Sequence, residues 1–154
     1  MSSTRPTDAT LTEILEAFPS APIDLDNIGW YGGLMAGELR INRCEACATW
    51  HHPPGPVCPR CWSDNVVAIT VSGRGTVDLV TVLHTGPVVE GIDYEVGHAL
   101  VAVSLDGVPG VRVTAPMVDC DMADICRGLE VESAVVERAG VPTLVFRPTP
   151  RKGD

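Results

Sequence analysis

Basic residues are scarce in this chain. Eleven arginines and lysines stand against twenty aspartates and glutamates in 154 residues, a formal charge of −9, and only one of the eleven is a lysine. No basic run exists to displace counterions from a polyphosphate backbone, the source of most non-specific nucleic-acid affinity. Aromatics make up 5%, too few for a stacking platform under single strands. The apolar runs are a few residues long, far short of the ~20 that cross a bilayer. Nothing after Met1 resembles a signal peptide, because "MSSTRPTDATLTEILEAF" has no apolar run behind its one arginine. The expectation is a cytoplasmic protein with reduced thiols, no nucleic-acid partner and no membrane partner.

What is present divides into four stretches. Residues 1–25 read as a mobile tail and a short helix, "TLTEILEAF", in which Thr10 and Glu13 have capping-box spacing, Leu11, Ile14, Leu15 and Phe18 share a face, and Pro19 ends it. Residues 26–40 hold a second helix, with Asp26 as its cap and Gly37 at its end; Gly32 and Gly33 weaken it by about 1 kcal/mol each relative to alanine. Helices this short are marginal in water, so each is expected to dock on the body or on a partner. Residues 41–65 carry the cysteines. Residues 66–150 hold six strand-like runs rich in Val, Leu, Ile and Thr, at 66–71, 76–85, 98–105, 111–117, 129–137 and 143–148. Turn signals "SGRG", "DGVPG" and "RAGVP" separate several of them. The fold class is mainly β: N-terminal helices, a four-cysteine ribbon, then a five- to six-stranded Greek-key barrel of OB type.

Four of the six cysteines fall in "RCEACATWHHPPGPVCPRCW" as Cys44-x2-Cys47 and Cys58-x2-Cys61. Each pair puts two thiolates on a tight turn, and the ten residues between the pairs are enough to fold the turns face to face. Four thiolates then form a closed tetrahedron, the coordination of a structural zinc ion, with no position left for a reactive water. Spacing alone does not separate zinc from iron. His51 and His52 lie between the pairs and are expected on the ribbon surface or against its prolines. Cys120 and Cys126 are about 240° apart around a helix axis, which suits small buried fillers better than a site.

Two other constellations fail. The run "DCDMAD", 119–124, has Asp124 where a calcium loop needs glycine and Ala123 where it needs a ligand, so helix capping explains it better. His84, His98, Asp78, Asp93, Glu95, Ser72 and Ser104 are within sequence reach of one another, but no motif arranges them as nucleophile, base and orienter.

Three stretches, "GELRINRCEACATWHHPPGPVCPRCW", "VSGRGTVDLVTVLH" and "HALVAVSLDGVPGVRVTAPMVDCDMADICRGLEVE", resemble the acyl-CoA-associated family that joins a rubredoxin-like zinc ribbon to an OB-fold, formerly a domain of unknown function. The resemblance runs from about Trp30 to Pro148. It implies that Cys44, Cys47, Cys58 and Cys61 hold structural zinc. It further implies a non-catalytic accessory subunit of a thiolase-like enzyme, a steroid side-chain aldolase or an enoyl-CoA hydratase, whose large subunit performs the chemistry on acyl-CoA. Arg74, Arg112 and Arg147 are then the candidates for a coenzyme A phosphate. Exposed ion pairing is the competing explanation for them, and a zinc-ribbon and OB-fold nucleic-acid module is the competing function. Ala48 and Trp62 depart from the family pattern, which favours glycine after each pair.

Overall fold

The computed structural model describes residues 9–150. Two short helices, α1 (Leu11–Ala17) and α2 (Ile28–Met35), precede eight strands: β1 (Leu39–Cys44), β2 (Trp50–His51), β3 (Val66–Val71), β4 (Arg74–Leu83), β5 (His98–Leu105), β6 (Arg112–Pro116), β7 (Glu130–Arg138) and β8 (Val141–Pro148). One 3-10 turn, Met122–Asp124, lies between β6 and β7. No helix among the described residues is long and apolar enough to cross a membrane.

The strands form two sheets, ordered β2-β1-β3 and β6-β5-β4-β7-β8. The second closes into a barrel through a parallel bridge between Met117 and Phe146, reinforced by the Val118 amide donating to the Phe146 carbonyl at 2.9 Å. This five-stranded barrel behind a cysteine ribbon is the mainly β architecture the sequence implies. The first strand-like run takes a different place: β3 pairs along its full length with β1, from Leu39↔Val71 to Cys44↔Val66, and so belongs to the ribbon sheet. Its sequence "VVAITV" suits either sheet, since the β-branched pattern specifies a pleated, half-buried surface but not a partner strand.

In the barrel, β5 shows period-2 burial, with Ala99, Val101, Val103 and Leu105 inward. They pack with Val77, Val113, Val131 and Phe146, and this core continues into Leu39 and Ile41 of the ribbon and Ile14, Phe18 and Leu34 of the helical segment. Ribbon, barrel and helices therefore share one apolar interior. The turn into β4 and the strand's start both need glycine. Gly73 sits at φ +75°, and a methyl on it would collide with Ser133 Oγ, while one on Gly75 would strike the Ser104 carbonyl.

α1 is capped as its sequence requires, with the Glu13 amide donating to Thr10 Oγ1 at 3.3 Å and the Thr10 amide donating to the Glu13 carboxylate at 2.6 Å. Ile14 and Phe18 are buried, whereas Leu11 and Leu15 stay exposed. α2 differs from expectation at its start. Asp24, not Asp26, accepts the amides of Asp26 and Asn27, both at 2.9 Å, and the Asn27 side chain reaches back to the Asp24 amide. The helix stops at Met35, and Gly37 follows in the left-handed region at φ +73°. Close approach explains the helix glycines. A Cβ on Gly29 would lie 2.5 Å from Ala68 Cβ, and one on Gly33 would lie 2.9 Å from Arg40 Cγ, so α2 presses directly on the ribbon sheet.

Candidate metal centre and surrounding residues

The ribbon brings the two cysteine turns together at one end of its sheet, where Cys44 of β1 faces Val66 of β3 and the Glu45 amide donates to the Asn65 carbonyl at 2.9 Å. Cys44 ends β1, and the Ala48 amide folds back onto its carbonyl at 2.9 Å; the second turn repeats this, with the Trp62 amide on the Cys58 carbonyl at 2.9 Å. The residue after each pair, Ala48 or Trp62, sits in the left-handed region at φ 62° or 64°. Glycine would adopt this conformation without strain, so the chain makes the knuckle turn of a glycine with residues that have a Cβ, at about 1 kcal/mol each.

Cys44 Sγ lies 3.6 Å from Cys61 Sγ and Cys47 Sγ lies 3.6 Å from Cys58 Sγ. All four sulfurs fall within 4.8 Å of one another. A tetrahedron with metal–sulfur bonds near 2.3 Å has sulfur–sulfur edges of about 3.8 Å, so the quartet fits one ion with little adjustment. The Arg60 amide points at Cys58 Sγ at 3.4 Å, as knuckle amides do toward a ligating sulfur. Electrostatics agree. Hydrogen bonding to the Thr49 side chain and backbone lowers the Cys47 thiol to about 6. Against the lowering pull of the Ser63 amide, burial and the neighbouring sulfurs of Cys44, Cys47 and Cys58 push Cys61 up to about 12. Four sulfurs this close hold their full negative charge only around a cation. Among the described residues this is the one cluster of potential metal ligands, and neither histidine belongs to it.

The histidines differ from expectation. His51 is buried, with its Nε2 lacking a partner. His52 stacks on Trp30 with ring centroids 4.8 Å apart. Burial, and secondarily the charge of His51, lower the His52 pKa below its usual 6.5. His52 also faces an open groove of about 590 Å³ between ribbon and barrel, whose far wall is Ser104, the 108–111 turn and Arg112. Cys126 is exposed and Cys120 half-buried, so only the latter packs against the core. Asp121 precedes the 3-10 turn but makes no side-chain capping bond.

The three arginines occupy separate places. Arg112 Nε meets Asp78 at 3.0 Å, and Ser104 Oγ donates to the same carboxylate oxygen. Arg147 Nε meets Glu132 at 3.1 Å, opposite it across β7 and β8. Arg74 pairs in register with Glu132 on the other side of β7, is exposed, and makes no ion pair among the described residues. The sequence did not foresee the Asp78–Ser104–Arg112 cluster, because its members meet only through the β4–β5–β6 register. Catalytic geometry does not emerge: Asp78 is held by a cation and a hydroxyl, and His84 Nδ1 lies 3.3 Å from the Tyr94 carbonyl.

Comparison with known proteins divides the chain at nearly the same place, inside β3 and not after it. Residues 32–67 match the family model described as ChsH2, rubredoxin-like zinc ribbon domain, and residues 68–137 that of the ChsH2 C-terminal OB-fold domain. The structure is similar to the Ltp2-ChsH2(DUF35) aldolase at TM-score 0.73 and 30% identity, over 83% of this chain and 98% of that one. The chain belongs to the ChsH2, or DUF35, family. This DUF35 protein is also 33% identical over 131 residues to the probable enoyl-CoA hydratase alpha subunit of Thermomonospora curvata, covering 84% of this chain and 40% of that one. It is 32% identical over 92 residues to a DUF35 domain-containing scaffold protein of Methanocaldococcus jannaschii, covering 59% and 62%. The chain thus spans from two fifths to about three fifths of the length of these curated relatives. A Sulfolobus solfataricus DUF35 structure at 14% identity and TM-score 0.56 shares the fold.

Proposed function

We propose that this DUF35 protein is a non-catalytic small subunit that scaffolds an acyl-CoA-metabolising enzyme of the thiolase-like, aldolase or enoyl-CoA hydratase kind, and that its four cysteines hold structural zinc. The observation that carries this reading is the structural similarity to the DUF35 component of an aldolase over nearly the whole of that chain. The site chemistry is consistent with it, since a four-sulfur tetrahedron leaves no coordination position for substrate, and no nucleophile and base are aligned elsewhere among the described residues. Arg112 beside the ribbon–barrel groove, with Arg74 and Arg147 on the barrel, would add positive charge for a coenzyme A phosphate. Arg112 is the strongest of the three because the groove is beside it, although its ion pair with Asp78 must be shared or exchanged.

Co-expression with a large subunit of this class tests the reading. The purified small chain is expected to turn over no acyl-CoA, and activity is expected to appear in the heteromeric fraction on size exclusion. Equal turnover by the small chain alone would overturn it. Labelled oligonucleotides are expected to bind no tighter than micromolar at physiological salt, given the net charge of −9.

A further inference from the structure

β4 pairs with β5 along its length, from Gly75↔Leu105 to Leu83↔His98, with a bulge between Val77 and Leu79. On its other side it pairs with β7 only from Arg74 to Thr76, and Val77 completes that side by bonding to Leu129 and Gly128. From Leu79 to Leu83 no strand among the described residues lies on that side. Alternate residues of an antiparallel strand turn their N–H and C=O groups away from the first neighbour, so this stretch presents an open main-chain edge about 17 Å long. Three of its side chains are apolar and part-exposed: Leu79 is 58% exposed, Val80 37% and Val82 36%. Soluble proteins ordinarily blunt such an edge with charge, proline or a covering loop. "LVTVL" has none of these within it.

The apolar surface extends beyond the strand. A methyl on Gly97 would lie 2.7 Å from Val82 Cγ1 and 3.5 Å from Met122 Cε, so the loop before β5 and the 3-10 turn meet β4 here. Val96 beside Gly97 is 72% exposed and Met122 39%. The rim is acidic, with exposed Asp93 and Glu95 on the loop and Asp121 and Asp124 flanking Met122. Between Arg74 and Arg127 the sequence contains a single arginine, Arg112, and no lysine.

We infer that the open edge of β4, Leu79–Leu83, is completed by an extended apolar strand of the large subunit, flanked there by basic residues. The inference rests on the reading of this chain as a subunit and names the surface by which it assembles. Open backbone donors and acceptors in a row are matched by main chain in extended form, and the acidic rim selects a basic surround. A second copy of this chain is the alternative occupant, because "LVTVL" reads the same in both directions and would pair about Thr81. Charge opposes that pairing, since it joins two chains of −9 each.

The test uses the full chain and the large subunit recovered from their co-expressed complex and then titrated back. Amide hydrogen exchange in residues 79–83 should slow at least tenfold on binding. Leu79→Asp with Thr81→Asp should weaken the complex at least a hundredfold while leaving thermal unfolding and metal content of the small chain unchanged, because both side chains are exposed. Asp93→Asn with Glu95→Gln should slow association several-fold and flatten its salt dependence. If the complex forms but the aspartate pair binds like wild type and exchange at 79–83 is unaltered, the edge assignment is wrong and the subunit reading stands. If no complex forms with the wild type, both fall. A doubled light-scattering mass of the isolated chain that the aspartate pair abolishes would assign the edge to a second copy and overturn the heteromeric strand.

Discussion

Ribbon and barrel hold together by different means although they share an interior. The ribbon is a three-stranded sheet whose middle strand has one partner of two residues and one of six; a sheet this small is marginal in water, and its turns carry two left-handed residues that are not glycine. In the function proposed above, the zinc held by its four cysteines is what would fix it. The barrel has no such clamp and relies on inward Val, Leu and Phe side chains exposed by less than a tenth of their surface. A four-residue chemical signature can therefore specify a region with little core, whereas a region without one must spread its specification over many pairings.

Removing the clamp should have the largest effect. Cys44→Ser is expected to lose the bound zinc and unfold the ribbon, since structural zinc contributes about 10–16 kcal/mol in small peptides at pH 7; Cys120→Ser should keep one zinc per chain, as metal analysis would show. A barrel lesion should do the converse. Phe146→Ala empties a fully buried position and should cost about 3–5 kcal/mol in denaturant unfolding while the zinc-to-chain ratio stays at one. If instead the metal left with the barrel lesion, the two regions would be a single cooperative unit with no separate means of support.

A third, smaller effect lies at their junction. His52 has a folded pKa below its unfolded value of 6.5, chiefly through burial, so it adds stability above that value. Stability is lost as pH falls below about 6.5, where the unfolded chain takes up a proton the folded chain resists. His98 shifts in the same direction through its own burial and Arg138. The melting temperature should decline between pH 6.5 and 5, and the decline should shrink in His52→Gln. Smallest of all, Ala48→Gly should change stability by less than about 1 kcal/mol, as relief at φ 62° offsets the entropy glycine adds to the unfolded chain.

The comparison also explains what the sequence disclosed. Knuckle spacing, the Thr10–Glu13 box and the alternation in "HALVAVSL" are local, and each leads to one structure. β1 (Leu39–Cys44) did not show itself, because "LRINRC" straddles the boundary between the helical stretch 26–40 and the cysteine stretch 41–65. Its signal was present in Leu39 and Ile41, two residues apart and both buried. The placement of β3 beside β1, the groove between His52 and Arg112, and the bare edge of β4 depend on which strands meet, and β-branched runs do not encode that choice locally.

β3 ends at Val71 and β4 begins at Arg74, so Ser72 and Gly73 are all that separates the cysteine-bearing sheet from the barrel. Two residues span at most about 7 Å, and the Ser133 amide holds the Gly73 carbonyl at 2.8 Å. There is no slack in this joint for a hinge. Force or displacement applied at the knuckles passes to β4 without being absorbed by a linker, and a partner that grips one end fixes the position of the other. As a mechanical part the chain is a rigid spacer, and an insertion of flexible glycines after Ser72 would leave the shared apolar interior as the main restraint between ribbon and barrel, with all four cysteines still in place.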